Sequence, residues 1–246
     1  MTAIQPILEI NRLFKKFGGI KAINGLNISV AQGIVTGLLG PNGSGKTTLF
    51  NLITGVYLSD SGTVRFKGED ITNRPPHRIA LRGIRRTFQT TKLFFSQSVM
   101  DNIAIAMLAG NEEKRSAKRT DEKIEKILAL TSLSDNRYST AFDLTHAEQR
   151  RLMVAMALIK DPDLLLLDEV TSGMSGEECN GIMAMIKRIK ENGTTVIMIE
   201  HNMRVAMALC DHVIVISFGE KIAEGSPEEI TGNKTVLEAY LGKDEY

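Results

Sequence analysis

The chain has 246 residues, enough for one large α/β domain or two small ones, and its 43% hydrophobic content supplies a core, which excludes disorder as a description of the whole. A formal net charge of +1 removes any compositional reason to expect a nucleic-acid partner or an acidic substrate. Its two cysteines, Cys179 and Cys210, form no C-x-x-C pair, which argues against a disulfide framework or structural zinc site and for buried thiols in a reducing compartment.

At the N-terminus, "MTAIQPILEI" has no basic segment leading into a long apolar run, and nowhere do the roughly 18 apolar residues that span a bilayer occur together. The expectation is a soluble chain, docked at most to a membrane protein. The apolar runs "ILEINRLFKKF", "AINGLNISV", "GIVTGLLG" and "TVRFKGEDI" predict strands of a partly antiparallel sheet, with Gly33, Gly62 and Gly68 at the bends. From "SVMDNIAIAMLAG" through "DEKIEKILALTSL" to "EQRRLMVAMALIK" apolar residues recur at helical spacing and predict a helical insert over 89–159. Within it, the mixed-sign "NEEKRSAKRTDEK" reads as a solvated helix face. After Asp161 and Pro162, "LLLLDE", "GEECNGIMAMIKRIKENG", "TTVIMIE", "NMRVAMALC" and "HVIVIS" alternate strand with helix, which implies a parallel sheet covered on both faces. Residues 1–88 and 160–246 are therefore expected to form one core around the insert. The methionine pairs Met153/Met156, Met183/Met185 and Met203/Met207 read as core filling.

Chemistry concentrates at four places. Gly40, Pro41, Asn42, Gly43, Ser44, Gly45, Lys46, Thr47 and Thr48 contain G-x-x-x-x-G-K-[ST] between a strand-like and a helix-like run, the context in which that spacing cradles phosphates. Gly43 and Gly45 allow the positive dihedrals that turn successive N–H groups inward, Lys46 brings a point charge toward the β- and γ-phosphates, and Thr47 is placed to ligate Mg²⁺. Asp168 and Glu169 end the apolar run "LLLLDE", where carboxylates do not belong unless a cation or a reacting water needs them. Beside a phosphate loop, Asp168 is expected to hold Mg²⁺ through its water shell and Glu169 to polarise the attacking water. His201 follows "TVIMIE" at the same rim of an open α/β sheet and is read as a γ-phosphate contact that orients that water. Finally, in "LTHAEQRRLMVAMAL" Thr145 and Glu148 have the spacing of a capping box, and a helix N-terminus carrying a hydroxyl is also a ready phosphate site. Gln89, at the junction of strand region and insert, is by itself only a loop hydrogen-bonder.

In this order the motifs resemble the ATP-binding cassette (ABC) ATPases, across essentially the whole chain. The resemblance implies a P-loop NTPase (RecA-like) α/β core with a parallel sheet, an N-terminal antiparallel β subdomain and an inserted helical subdomain, working on ATP with Mg²⁺. It assigns Phe17 as adenine stacker, Gly40 to Thr48 as phosphate loop, Gln89 as a contact to Mg²⁺ and the attacking water, and Leu144 to Glu148 as the signature helix end. Asp168 with Glu169 become the Walker B acids, Ser172 to Ser175 the D-loop and His201 the switch histidine. It implies further that Thr145 and the N–H groups after it, with Ala147, meet the nucleotide held by a second ATPase subunit in a head-to-tail dimer. The signature departs from the family's Leu-Ser-Gly-Gly-Gln: Thr145 keeps the hydroxyl, His146 and Ala147 replace both glycines, and Glu148 replaces Gln. The Cβ of Ala147 is expected to obstruct a phosphate's approach to the backbone. Val170 also stands where Pro usually follows the glutamate, and Ser175 where the D-loop often has Asp.

"KFGGIKAI", "RTFQTTKLF", "IEHNM", "EGSPEEI" and the tail "VLEAYLGKDEY" resemble the branched-chain (hydrophobic) amino acid uptake ATPases. That implies two different ATPase subunits, with a homodimer of this chain as the alternative, multi-span membrane permeases, a separate substrate-binding protein, and a cytoplasmic chain peripheral on the inner face of the plasma membrane. The insert and the Gln89 region would carry the permease's coupling segment. A soluble ABC ATPase in assembly or repair, of the iron–sulfur-assembly type, is the other reading. The chain shows neither the long coiled-coil insertion nor the basic stripe of chromosome-maintenance relatives, and no Asn-Lys-x-Asp for guanine.

Overall fold

The central strands carry apolar side chains on both faces, and the architecture follows from covering each face. A computed structural model describes residues 6–87, 92–108 and 117–241. The chain opens with β1 (Pro6–Phe17), β2 (Ile20–Ala31), β3 (Val35–Leu39), α1 (Lys46–Ile53), β4 (Ser61–Phe66), β5 (Glu69–Asp70), α2 (Pro76–Leu81) and β6 (Ile84–Arg86). Three helices follow, α3 (Val99–Leu108), α4 (Ala117–Thr131) and α5 (His146–Leu158). The remainder alternates: β7 (Leu164–Asp168), α6 (Gly176–Glu191), β8 (Thr195–Ile199), α7 (Met203–Leu209), β9 (His212–Ser217), β10 (Glu220–Gly225), α8 (Pro227–Thr231) and α9 (Lys234–Leu241).

Two sheets form. The first, in the order β2-β1-β4-β5, is antiparallel; the second runs β10-β9-β3-β8-β7-β6. In the second, β9, β3, β8, β7 and β6 are parallel and β10 returns antiparallel on β9. β7 shows why the sheet is sandwiched. Leu164 and Leu166 join one core with Leu8, Leu26, Phe50 and Ile53 from the antiparallel sheet and α1. Leu165 and Leu167 join the other, with Leu158, Ile182 and Met185 from α5 and α6, and all four leucines are 0% exposed. A strand buried on both faces has no polar side to alternate with, which is why "LLLL" reads as an unbroken run.

The strand and helix expectations agree with these elements, with informative differences. "GIVTGLLG" leaves the antiparallel region and becomes β3, a central strand of the parallel sheet. Gly62 lies inside β4 and not at a bend: a Cβ there would stand 2.2 Å from the Arg12 carbonyl oxygen of β1, so only glycine lets the strands approach. Short α2, α8 and α9 and the edge strand β10 carry too little periodicity to have been predicted. Met153 and Met185 are buried and Met156, Met183, Met203 and Met207 pack against the same core, as core filling requires. Cys179 and Cys210 are free and buried; burial raises both thiols, Cys210 to about 12. "NEEKRSAKRTDEK" begins outside the described residues, and none of the described helices is long and apolar enough to cross a membrane.

Two-sided burial makes neighbouring leucines of β7 equally indispensable. Leu165→Ala and Leu166→Ala are each expected to cost about 2–5 kcal/mol in urea unfolding; a cost below about 1 kcal/mol for either would contradict the sandwich.

Candidate active site

Parallel pairing brings the strand ends level. Ile199 of β8 pairs with Leu38 of β3 on one side and with Asp168 of β7 on the other, so the loop after β3, Glu169, Glu200 and His201 leave the sheet at one rim. Open α/β sheets bind ligands at such carboxyl ends.

The loop from Gly40 to Gly45 depends on backbone that side chains disfavour. Gly40, Gly43 and Gly45 have φ of 150°, 75° and 107°. A Cβ on Gly40 would meet the Ile216 carbonyl oxygen at 2.1 Å, and one on Gly45 the Ala22 carbonyl oxygen at 2.4 Å. Gly45 is the N-cap of α1 and supplies no side-chain cap, so the first N–H groups of α1 remain available to an anion. Lys46 is only 5% exposed, and its Nζ donates to the Gly40 and Pro41 carbonyl oxygens at 2.6 and 2.9 Å. Burial lowers its pKa, while Glu169 and Asp168 act in the opposite sense. The loop is anchored from outside: the Gly219 N–H, in the turn between β9 and β10, donates to the Ser44 carbonyl, and the Asn24 N–H of β2 donates to Gly219.

Asp168 is 1% exposed, and its Oδ2 accepts from Arg86 Nη2 at 2.6 Å. Arg86 also donates to Asn51 Oδ1 at 2.5 Å and lies 5.4 Å from the centre of the Phe50 ring, so one buried guanidinium joins β6, β7 and α1. A buried carboxylate needs such a partner. Asp168 Oδ1, however, is buried with no hydrogen-bond partner, and it is the oxygen a cation would satisfy. Among the described residues no three His, Cys, Asp or Glu side chains converge on a metal site. The donors fit Mg²⁺, which is usually held by one or two carboxylates together with substrate phosphates.

Glu169 follows at φ 51°, a left-handed conformation that costs a non-glycine residue about 1–3 kcal/mol. Its N–H donates to the Ile199 carbonyl at 3.0 Å, and its Oε1 lies 2.8 Å from Nε2 of His201. Glu169, His201, Lys46, Thr47 and Thr48 line one pocket of about 280 Å³. Behind it Glu200, 2% exposed, accepts from the Thr171 N–H at 3.3 Å and hydroxyl at 2.8 Å. Burial raises the Glu200 pKa; the two Thr171 hydrogen bonds oppose the rise and neighbouring Glu169 adds to it.

The structure thus gathers Lys46, Thr47, Thr48, Glu169 and His201 around one pocket, with Asp168 adjacent in β7. Phe17 is not among the pocket's lining residues, which on that side are Ile20, Lys21 and Ala22. It sits at the end of β1, 42% exposed, edge-on to Tyr57 at 5.2 Å and with Lys15 Nζ 5.3 Å from its ring. Gln89 lies outside the described residues. Thr145 is the N-cap of α5 in a complete capping box: its N–H donates to Glu148 Oε2 at 2.8 Å and its Oγ1 accepts from the Glu148 N–H at 3.3 Å. Ala147, in the first turn of α5, is 4% exposed. Ser175, replacing the D-loop Asp, caps α6 through a second capping box with Glu178.

Sequence reasoning missed Arg86, Asn51 and Glu200. A signal existed for the first: a buried strand-end acid calls for a cation, and "RR" stands just before the "TFQ" that closes the strand region. Glu200 offered none, because an acid after "TVIMI" reads as readily as a loop residue.

Known proteins share this sequence pattern and fold. Residues 23–172 match the family model described as ABC transporter, and residues 220–246 that described as branched-chain amino acid ATP-binding cassette transporter. The chain is 37% identical to the high-affinity branched-chain amino acid transport ATP-binding protein BraF of Pseudomonas aeruginosa, over 97% of this chain and 99% of that protein. It is 38% identical to the probable branched-chain amino acid transport ATP-binding protein LivG of Archaeoglobus fulgidus, over 96% and 95%. Among solved structures, a nucleotide-free ATP-binding cassette of an ABC transporter superposes with a TM-score of 0.88 at 32% identity, covering 97% of this chain and 100% of that one. An ABC transporter cassette in its ADP conformation gives the same score and identity over 97% and 99%.

Glu200→Gln keeps one of the two oxygens that accept from Thr171, enough for the shorter bond to its hydroxyl, and removes a charge that burial disfavours. Because the folded pKa is raised, ionisation penalises the fold from the unfolded carboxyl value of about 4.3 upward, fully above the folded value. The variant should therefore unfold at higher urea than the wild type at pH 7.5, and the gain should vanish as pH falls toward about 4; equal stability at pH 7.5 would refute the burial argument.

Proposed function

The chain belongs to the ABC transporter ATPases, and from that premise we propose that it is the MgATP-hydrolysing subunit of an importer for branched-chain or other hydrophobic amino acids. The observation that carries the chemistry is the shared pocket of Lys46, Glu169 and His201 beside the buried Asp168. The kind of solute is supported by the names of BraF and LivG and by the match over residues 220–246.

In this reading Lys46 exchanges the Gly40 and Pro41 carbonyls for the β- and γ-phosphates, and the first amides of α1 take up phosphate oxygens. Glu169 polarises a water and accepts its proton as the water oxygen bonds to the γ-phosphorus; the bond to the bridging oxygen breaks, leaving ADP and phosphate. His201, already bonded to Glu169, orients that water and contacts the γ-phosphate. Thr47, Asp168 and Gln89 would hold Mg²⁺, which supplies neutralisation of phosphate charge. Phe17 would stack on adenine.

The end of α5, with Thr145 and the N–H of Ala147, is proposed to meet the nucleotide of a second, different ATPase subunit, so that binding closes the pair and hydrolysis reopens it. A multi-span permease follows that motion, a separate substrate-binding protein delivers the solute, and the chain sits in the cytoplasm against the inner face of the plasma membrane. The same relatives favour transport over the assembly reading.

Glu169→Gln is expected to keep ATP affinity while turnover falls at least a hundredfold, and Lys46→Ala to weaken nucleotide binding at least tenfold. Near-normal turnover in the first, or unchanged affinity in the second, removes that residue from its role. Proteoliposomes holding the assembled transporter should take up radiolabelled leucine, isoleucine or valine, or failing these phenylalanine or methionine, only with ATP inside; active ATP hydrolysis without uptake of any of them would overturn the solute assignment.

A further inference from the structure

The C-terminal helix touches the phosphate loop through one hydroxyl. Tyr240, in the last turn of α9, accepts a hydrogen bond from the Gly40 N–H at 2.7 Å. Gly40 is buried, and its carbonyl accepts from Lys46 Nζ at 2.6 Å. One residue is therefore held on its N–H side by the C-terminal helix and on its carbonyl side by the phosphate-binding lysine. Elsewhere α9 stands off the loop: a groove of about 470 Å³ separates them, walled by Pro41 to Ser44 on one side and by Thr235, Glu238 and Ala239 on the other. The Tyr240 ring packs against the buried core, so the hydroxyl is delivered from a supported position.

We propose that Tyr240 is a positioning residue for the phosphate loop, holding the Gly40 peptide, and with it the loop, in the conformation that takes up phosphates and thereby setting nucleotide affinity from the C-terminal segment. A buried N–H that loses its acceptor must find another or go unpaired, and at Gly40 the first remedy is to rotate the loop. Burial raises the phenol's pKa, with the Gly40 bond acting in the opposite sense. The inference rests on the reading of Gly40 to Thr48 as the nucleotide site.

The test compares Tyr240→Phe, which removes the one oxygen, with Thr235→Ala on the groove face of the same helix. Tyr240→Phe is expected to raise the KM for ATP and the Kd for a fluorescent ATP analogue about tenfold, with kcat within twofold; Thr235→Ala should change neither. Amide exchange followed by mass spectrometry should show the peptide around Gly40 exchanging at least tenfold faster in Tyr240→Phe. Should Tyr240→Phe fail to fold, the wild type decides, since the bond requires its Gly40 amide to be strongly protected and a freely exchanging amide refutes the inference. If Tyr240→Phe leaves KM and Kd within twofold while Lys46→Ala abolishes binding, the role of Tyr240 is overturned and the phosphate-loop reading stands; if Lys46→Ala also binds normally, that reading itself has failed.

Discussion

Ile199 fixes where the reactive groups stand. Its backbone pairs with Leu38 and Asp168, and its carbonyl also accepts from the Glu169 N–H. A slip of one residue would reverse every side chain of β8 between the two cores, sending Val196 and Met198 to the face of Ile197 and Ile199. With both faces close-packed, the exchanged side chains would no longer fit their cores, so burial that says nothing about phosphate chemistry determines the level at which Lys46, Asp168, Glu169 and His201 meet. The left-handed backbone of Glu169 belongs to the same constraint, because the strand must end at the rim while its next carboxylate reaches toward His201.

Charge within this rim is balanced locally. Arg86 holds one oxygen of Asp168, the Gly40 and Pro41 carbonyls hold Lys46, and Thr171 holds Glu200. Each arrangement lessens the cost of burying an ionisable group. They differ in how readily they can be exchanged for a ligand. Neutral carbonyls compete weakly for an ammonium against a triphosphate, whereas the Arg86 pair is itself charged and enclosed by Asn51 and Phe50. Lys46 is accordingly the group suited to change partners, and Arg86 the one that keeps Asp168 in place while its other oxygen stays open.

How far this was legible in the amino-acid sequence depended on whether a residue's role is local. Gly43, Gly45 and Lys46 could be read because a loop that turns its amides inward needs glycine and a lysine at fixed spacing, with no help from distant chain. Asp168 and Glu169 were legible for a related reason, as acids ending an apolar strand are anomalous on their own. Phe17 was read from resemblance alone, and its ring borders Tyr57 and Lys15 and not the pocket. Arg86, Asn51 and Tyr240 act across 82, 35 and 200 positions of chain. Spacing carries no information at such separations, and only the register of the sheet and the return of α9 bring the partners together. The β3 run was placed among the first strands because a buried strand looks the same in either sheet.

At the end of α5 the proposed chemical role would have to share one set of atoms with a structural one. In the capping box the Thr145 hydroxyl donates to Glu148 Oε2 at 2.9 Å and accepts from the Glu148 N–H, so both its hydrogen-bonding functions are used. Such a cap is worth about 1 kcal/mol. A hydrogen bond to a charged phosphate is worth about 1.5–3 kcal/mol, so a partner's nucleotide could draw the hydroxyl away at a small net gain, provided the Glu148 carboxylate withdraws. That carboxylate also accepts from Asn136 at 3.2 Å through its other oxygen, which offers it an alternative hold. A Glu at this position strengthens the helix end, and in the proposed dimer it would raise the electrostatic threshold for a phosphate approaching Thr145.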